Sequence, residues 1–174
     1  MTQLLLITGS TRSGSTNSAF VRTASASPPP DVEISAFDGL AALPHFNPDE
    51  DHEPLPDSVA ALRQAIAAAD GVVFCTPEYA GTLPGSLKNL LDWCVGSTEL
   101  TGKRVAWVNV AADPRRGAGA HATLATVLGY VQADLVEDAC ASVPIARDAV
   151  GADGLVTDPD VRRAITAALA RFAA

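Results

Sequence analysis

Leu4-Leu5-Leu6-Ile7-Thr8, running into Gly9-Ser10-Thr11-Arg12-Ser13-Gly14-Ser15-Thr16-Asn17, decides the architecture. An apolar run this short, with no alternation, reads as a strand covered on both faces. Glycine and hydroxyl residues then turn the chain. A short helix follows from Thr16 to about Ser25, and Pro28-Pro29-Pro30 stops it. Strand, loop and helix in that order form half of a crossover unit.

The same unit recurs along the chain. Val32 to Phe37 reads as a second strand. Asp57 is the expected N-cap of a helix carrying Val59, Leu62, Ile66 and Ala69 on one face, with Gly71 closing it. Val72 to Cys75 is a third strand. Leu87, Leu90, Leu91 and Cys94 stripe the next helix, which Gly96 ends. Val105 to Ala111 is a fourth strand, and Leu124, Val127, Leu128 and Val131 mark the helix after it. A fifth strand falls within Leu135 to Val143, and Asp158-Pro159 opens a last helix with Val161, Ile165, Leu169 and Phe172 inward. Continuously apolar strands alternating with helices predict an α/β fold, a flavodoxin-like doubly wound five-stranded parallel sheet with helices on both faces. The segment between Asp38 and Pro56 has no period. It carries four prolines and the acidic run Asp49-Glu50-Asp51-His52-Glu53, read as a long surface loop with solvated charge.

Composition sets the outer limits. A chain of 174 residues, 48% apolar and 18% charged, predicts one domain spanning residues 1–174 with a full core. A net charge of −8 argues against nucleic acid or an anionic membrane as partner. Three widely spaced cysteines without a C-x-x-C favour free thiols over disulfides or zinc. His45, His52 and His121 have no ligand spacing, so no metal site is expected. Met1-Thr2-Gln3 does not resemble a leader, and the uncharged stretch Gly117 to Ala133 is too polar for a span. The expectation is a soluble, cytoplasmic protein.

In a doubly wound sheet, ligands bind at the carboxyl edge of the strands. The loop Gly9 to Asn17 offers hydroxyls, backbone N–H groups and Arg12 at a helix N-terminus, which suits a dianionic phosphate. It has neither a Walker sequence nor a G-x-G-x-x-G, and a plain capped turn would look similar. Thr76 to Gly85 is a rigid Pro- and Gly-rich turn bearing Tyr79 beside the third strand. There, glycines allow close approach of a flat ligand, or Tyr79 simply packs on the surface. Leu87 to Trp93 reads as ordinary core helix. Arg115 and Arg116 form either a cationic spot, for the phosphate of a nucleotide cofactor or for an anionic substrate, or solvated loop charge.

Gly9-Ser10-x-Arg12-x-Gly14-Ser15-x-Asn17, Pro77-Glu78-Tyr79 and Pro84-Gly85-x-Leu87-Lys88-Asn89-x-x-Asp92-Trp93 together resemble the NADPH-dependent FMN reductase family, which includes quinone and chromate reductases. The likeness runs from about residue 3 to about residue 140. It implies that Ser10, Arg12, Ser15, Thr16 and Asn17 hold an FMN phosphate. It also implies that Pro77, Glu78, Tyr79, Ala80 and Gly81 border the isoalloxazine ring and ribityl chain. Catalysis would rest on FMN rather than on any side chain, with Glu78 bracing the loop or a neighbouring subunit. NADPH or NADH would deliver hydride to N5 of the flavin, and a quinone, azo or nitro compound, metal oxyanion or free flavin would then take the electrons in the same space. The resemblance further implies a homodimer or homotetramer. The family often places Asn after the Glu-Tyr pair, where this chain has Ala80, and a small polar residue after strand four, where it has Ala111-Ala112. A flavodoxin-type electron carrier and a non-catalytic member with weak flavin binding are the competing expectations.

Overall fold

Alternation along the strands divides the apolar side chains between two layers. In a computed structural model, which describes residues 1–113 and 115–173, β1 (Thr2–Thr8) sends Leu5 and Ile7 to one face and Leu4 and Leu6 to the other. β3 (Gly71–Cys75) likewise splits Val72 and Phe74 from Val73 and Cys75, and all four are buried. The strand order is β2-β1-β3-β4-β5, with β2 at Val32–Phe37, β4 at Arg104–Asn109 and β5 at Asp134–Leu135. Every pairing is parallel, as in Leu4 opposite both Ile34 and Gly71. Order reverses between β1 and β3, so the crevice lies at their carboxyl ends.

Helices cover both layers. α1 (Thr16–Ala26) and α5 (Pro159–Ala173) pack Phe20, Ile165 and Leu169 on one face. α2 (Asp57–Ala68), α3 (Gly85–Asp92) and α4 (Ala118–Tyr130) pack Leu62, Ile66, Leu87, Leu90 and Leu124 on the other. No helix among the described residues is long and apolar enough to cross a membrane.

Three boundary expectations are corrected. Asp57 is the first helical residue of α2, and Pro56 is the cap. The Pro56 carbonyl accepts from Val59 N at 2.9 Å and Ala60 N at 3.0 Å, so proline's extended backbone opens the helix without a side-chain cap. Gly71 begins β3 instead of closing α2, which ends at an extended Ala69. Its missing side chain makes room for the Phe172 ring of α5. α3 ends at Asp92 with Trp93 as its cap, short of Gly96.

The fifth strand is interrupted. β5 and β6 (Ala141–Ser142) both pair with β4, and a 3-10 turn at Glu137–Ala139 separates them. A continuous strand would send one of the adjacent carboxylates, Glu137 or Asp138, into the apolar layer. The turn keeps both exposed and buries Ala139 instead.

The long segment 38–56 is anchored to α3. Pro44 O accepts from Asn89 Nδ2 at 2.8 Å and from Trp93 Nε1 at 2.9 Å, and Asn89 Oδ1 accepts from Phe46 N at 2.8 Å. The acidic run is not wholly solvated, because Asp51 forms a mostly buried ion pair with Arg63 of α2 at 2.6 Å. The charge patch therefore also pins the loop.

Candidate active site

The loop after β1 is held largely by its own atoms. Ser15 Oγ accepts from Ser18 N at 3.0 Å, capping α1. Arg12 Nη2 donates to Gly14 O at 3.0 Å, and Arg12 N donates to Ser10 Oγ at 3.3 Å. Gly9 N donates to Cys75 O at 2.9 Å, and Gly9 packs so closely on Thr76 that no Cβ would fit. Thr16 and Asn17 occupy the first turn of α1, where helical N–H groups have no intrahelical acceptor.

Asn17 is only 6% exposed, yet it forms part of the wall of the principal cleft. Its Oδ1 accepts from the Cys75 thiol at 3.3 Å. Burial pushes the Cys75 pKa up, so the thiol keeps its proton and donates. The Asn17 amide nitrogen is thereby left to donate into the cleft.

The loop after β3 is held from a distance. Glu78 Oε2 accepts from Gly119 N at 2.8 Å and Ala120 N at 3.3 Å, so its carboxylate caps α4 from another element. Thr82 and Thr123 hydroxyls meet at 2.9 Å. Tyr79 and Thr82 exchange backbone hydrogen bonds around a tight turn with φ of 51° at Ala80 and 77° at Gly81. Positive φ at both central residues is the primed-turn geometry that Asn-Gly satisfies best, which gives Asn a conformational reason at position 80. Tyr79 stands out from the surface at 56% exposure.

The cleft measures about 680 Å³ and joins the first turn of α1 to Pro77, Glu78 and Tyr79 and to the segment after β4. Of the cofactor-holding residues that the family resemblance implies, Thr16, Asn17, Pro77, Glu78 and Tyr79 line it. Ser10 and Arg12 line an adjacent hollow of about 180 Å³ with Arg22 and Asp38. Ser15 is the α1 cap, and Ala80 and Gly81 form the tip of the turn.

Sequence reasoning missed Asn109, Ile145 and Arg147, which also line the cleft. Asn109 is 8% exposed. Its Nδ2 donates to Arg116 O at 2.8 Å, and its Oδ1 accepts from Ala111 N at 3.0 Å, folding the loop after β4. A single amide at the carboxyl end of an otherwise apolar strand was the available signal. Ile145 and Arg147 had none, since their placement depends on pairing with β4.

Arg115 is turned to Asp113 in a bidentate pair, with Nε to Oδ1 at 3.0 Å and Nη2 to Oδ2 at 2.9 Å. This guanidinium lowers the Asp113 pKa and is itself raised. Arg116 lines the cleft. His121 lies buried in α4, its ring stacked on Trp107 at 5.5 Å, and burial lowers its pKa against a partial opposing effect of Glu78. No cluster of His, Cys, Asp and Glu able to hold a metal occurs among the described residues. Cys75 and Cys94 are buried thiols, with burial pushing Cys94 up to about 12. The cleft thus offers hydrogen-bond donors, guanidiniums and one exposed aromatic ring. Its lining residues include no activated nucleophile, and the arrangement fits a flat ligand carrying a phosphate.

Comparison with known proteins points the same way. Residues 2–148 match the family described as NADPH-dependent FMN reductase. An NAD(P)H-dependent FMN reductase of Pseudomonas aeruginosa is 32% identical over 165 residues, covering 94% of this chain and 89% of that protein. A quinone reductase of Escherichia coli is 40% identical over 92 residues, 52% of this chain, and the match spans only about half that relative's length, 49%. The solved structure of FerB, a flavoenzyme NAD(P)H:(acceptor) oxidoreductase from Paracoccus denitrificans, superposes with a TM-score of 0.74 at 27% identity, covering 99% of this chain and 98% of that one.

Proposed function

The chain belongs to the NADPH-dependent FMN reductase family, and from that premise we propose that it is an NAD(P)H-dependent FMN oxidoreductase acting on small acceptors of the quinone type. The observation that carries the reading is Asn17. Its amide is nine-tenths buried, fixed at one end by Cys75 and open at the other to the cleft, beside unpaired N–H groups of α1. A phosphate fits that donor set.

In this reading Thr16 and Asn17 hold the FMN phosphate with help from Ser10 and Arg12, while Ser15 keeps the loop in register. Pro77, Glu78, Tyr79, Ala80 and Gly81 border the ring system, chiefly through backbone. Bound FMN supplies the two-electron chemistry that links a reduced nicotinamide to an acceptor. The chain's part is positional. Glu78 Oε2 is engaged by the α4 backbone, and His121 is buried and outside the cleft lining. An open cleft with one exposed face lets donor and acceptor take turns, which predicts ping-pong kinetics.

The reading extends to one domain over residues 1–174, a cytoplasmic protein and a homodimer or homotetramer. Free thiols at Cys75, Cys94 and Cys140 support a reducing compartment. Exposed Tyr130 and Val95 support self-association.

The test is an anaerobic absorbance spectrum with added FMN, before and after NADPH. A flavin band that shifts on binding and bleaches with NADPH is expected. A bound flavin that stays oxidised would instead assign an electron carrier, and no binding would overturn the phosphate site.

A further inference from the structure

The segments after β4 and β6 bring two arginines, Arg116 and Arg147, into the wall of the cleft. Both are placed by hydrogen bonds to the carboxyl end of β4 and the residue after it. Asn109 Nδ2 donates to Arg116 O at 2.8 Å. Val143 N donates to Asn109 O at 2.8 Å and Ile145 N to Val110 O at 3.1 Å, so Arg147 follows directly on chain that is paired to β4. The two carboxylates in the same wall are already engaged. Glu78 accepts from the α4 backbone, and Asp113 is held by Arg115. The whole chain carries a net charge of −8 and repels anions at long range, yet Arg115, Arg116 and Arg147 outnumber Glu78 and Asp113 by one positive charge at this wall.

We propose that Arg116 and Arg147 read an anionic oxygen group on the small molecule that shares the cleft with FMN, selecting it over a neutral isostere. The inference rests on the functional reading above and names the substrate class for that site. Guanidinium suits the task because it presents a planar fork of donors to phosphate, carboxylate or ionised hydroxyl oxygens. The 2′-phosphate of NADPH and the ionised hydroxyl of a hydroxyquinone share this chemistry.

The experiment uses FMN-loaded protein and calorimetric dissociation constants for two pairs of probes. One pair is NADP⁺ and NAD⁺, and the other is 2-hydroxy-1,4-naphthoquinone and 1,4-naphthoquinone. Arg147→Gln is expected to weaken the charged member of at least one pair about tenfold and its neutral or less charged counterpart less than about twofold. Arg116→Gln should act in the same direction, and added salt should mimic both. Narrowing of the first pair assigns the 2′-phosphate as the group read, and narrowing of the second assigns the acceptor. Equal losses within both pairs, or no loss in either, overturn the proposal. FMN affinity is titrated in parallel. Unchanged FMN binding with no charge preference sinks this inference alone, whereas a wild type that takes up no FMN sinks the functional reading with it.

Discussion

The loops after β1 and β3 face the same cleft and are stabilised in opposite ways. The first bonds mainly to itself. Ser15 caps its own helix, and Arg12 ties back to Ser10 and Gly14. The second leans on α4, through Glu78 to Gly119 across 41 residues of sequence and through Thr82 to Thr123. The difference decides which loop can serve a ligand. The first loop satisfies its own geometry and still leaves the Asn17 amide and the first N–H groups of α1 to donate. The second spends its one carboxylate on structure, so it can offer a ligand only surface and backbone.

Damage to the first loop should therefore cost ligand and spare the fold, while damage to the second should cost the fold first. Asn17→Asp places a negative charge where the phosphate is held. FMN affinity should fall about 100-fold, the loss of a charged hydrogen bond worth roughly 1.5–3 kcal/mol, while riboflavin affinity and denaturation midpoint stay near wild type. An equal loss for riboflavin would break the comparison.

Gly119→Ala is the counterpart in the second region. A Cβ there would run into the Gly81 carbonyl and crowd Glu78. Overpacking against backbone should destabilise the protein by about 2 kcal/mol in urea unfolding. A variant as stable as wild type would show that α4 and the β3 loop do not depend on their close approach.

His121 adds a pH signature to the same region. Burial holds its imidazole below the ordinary histidine value of 6.5, so the unfolded chain takes the proton first. Its contribution to stability is present above pH 6.5 and lost as pH falls below it, until the folded ring also protonates. His121→Gln should flatten the decline in unfolding free energy between pH 7 and pH 5. An unchanged slope would remove His121 from the account.

The smallest effect sharpens the turn itself. Ala80 sits at φ 51°, a region Asn tolerates better than Ala. Ala80→Asn should raise stability by about 0.5 kcal/mol, seen as a higher melting temperature. A lower melting temperature would mean that the Asn side chain meets an obstacle there.

The same contrast explains what could be read from sequence. The parallel sheet was legible because each apolar run carries its own period, whereas Ser15, expected at the phosphate, is spent as the cap of α1. Glu78 was legible as a brace, but its partners at Gly119 and Ala120 were not. Arg147 reaches the cleft only through hydrogen bonds between distant segments, for which no local pattern exists, whereas the lone amide of Asn109 at the end of β4 was a local signal left unread. The broken fifth strand escaped for a related reason. Its Glu137-Asp138 pair reveals a turn only once the neighbouring apolar layer is in place. Asp57 misled because Pro56 can open a helix without help from a side chain.

The most direct measurement is an equilibrium titration of the wild-type protein with FMN and with riboflavin, which differ only in the phosphate. If Asn17 and the first turn of α1 hold that phosphate, FMN binds at least about 100-fold more tightly than riboflavin. Equal affinities would contradict the assignment of the β1 loop as the phosphate site.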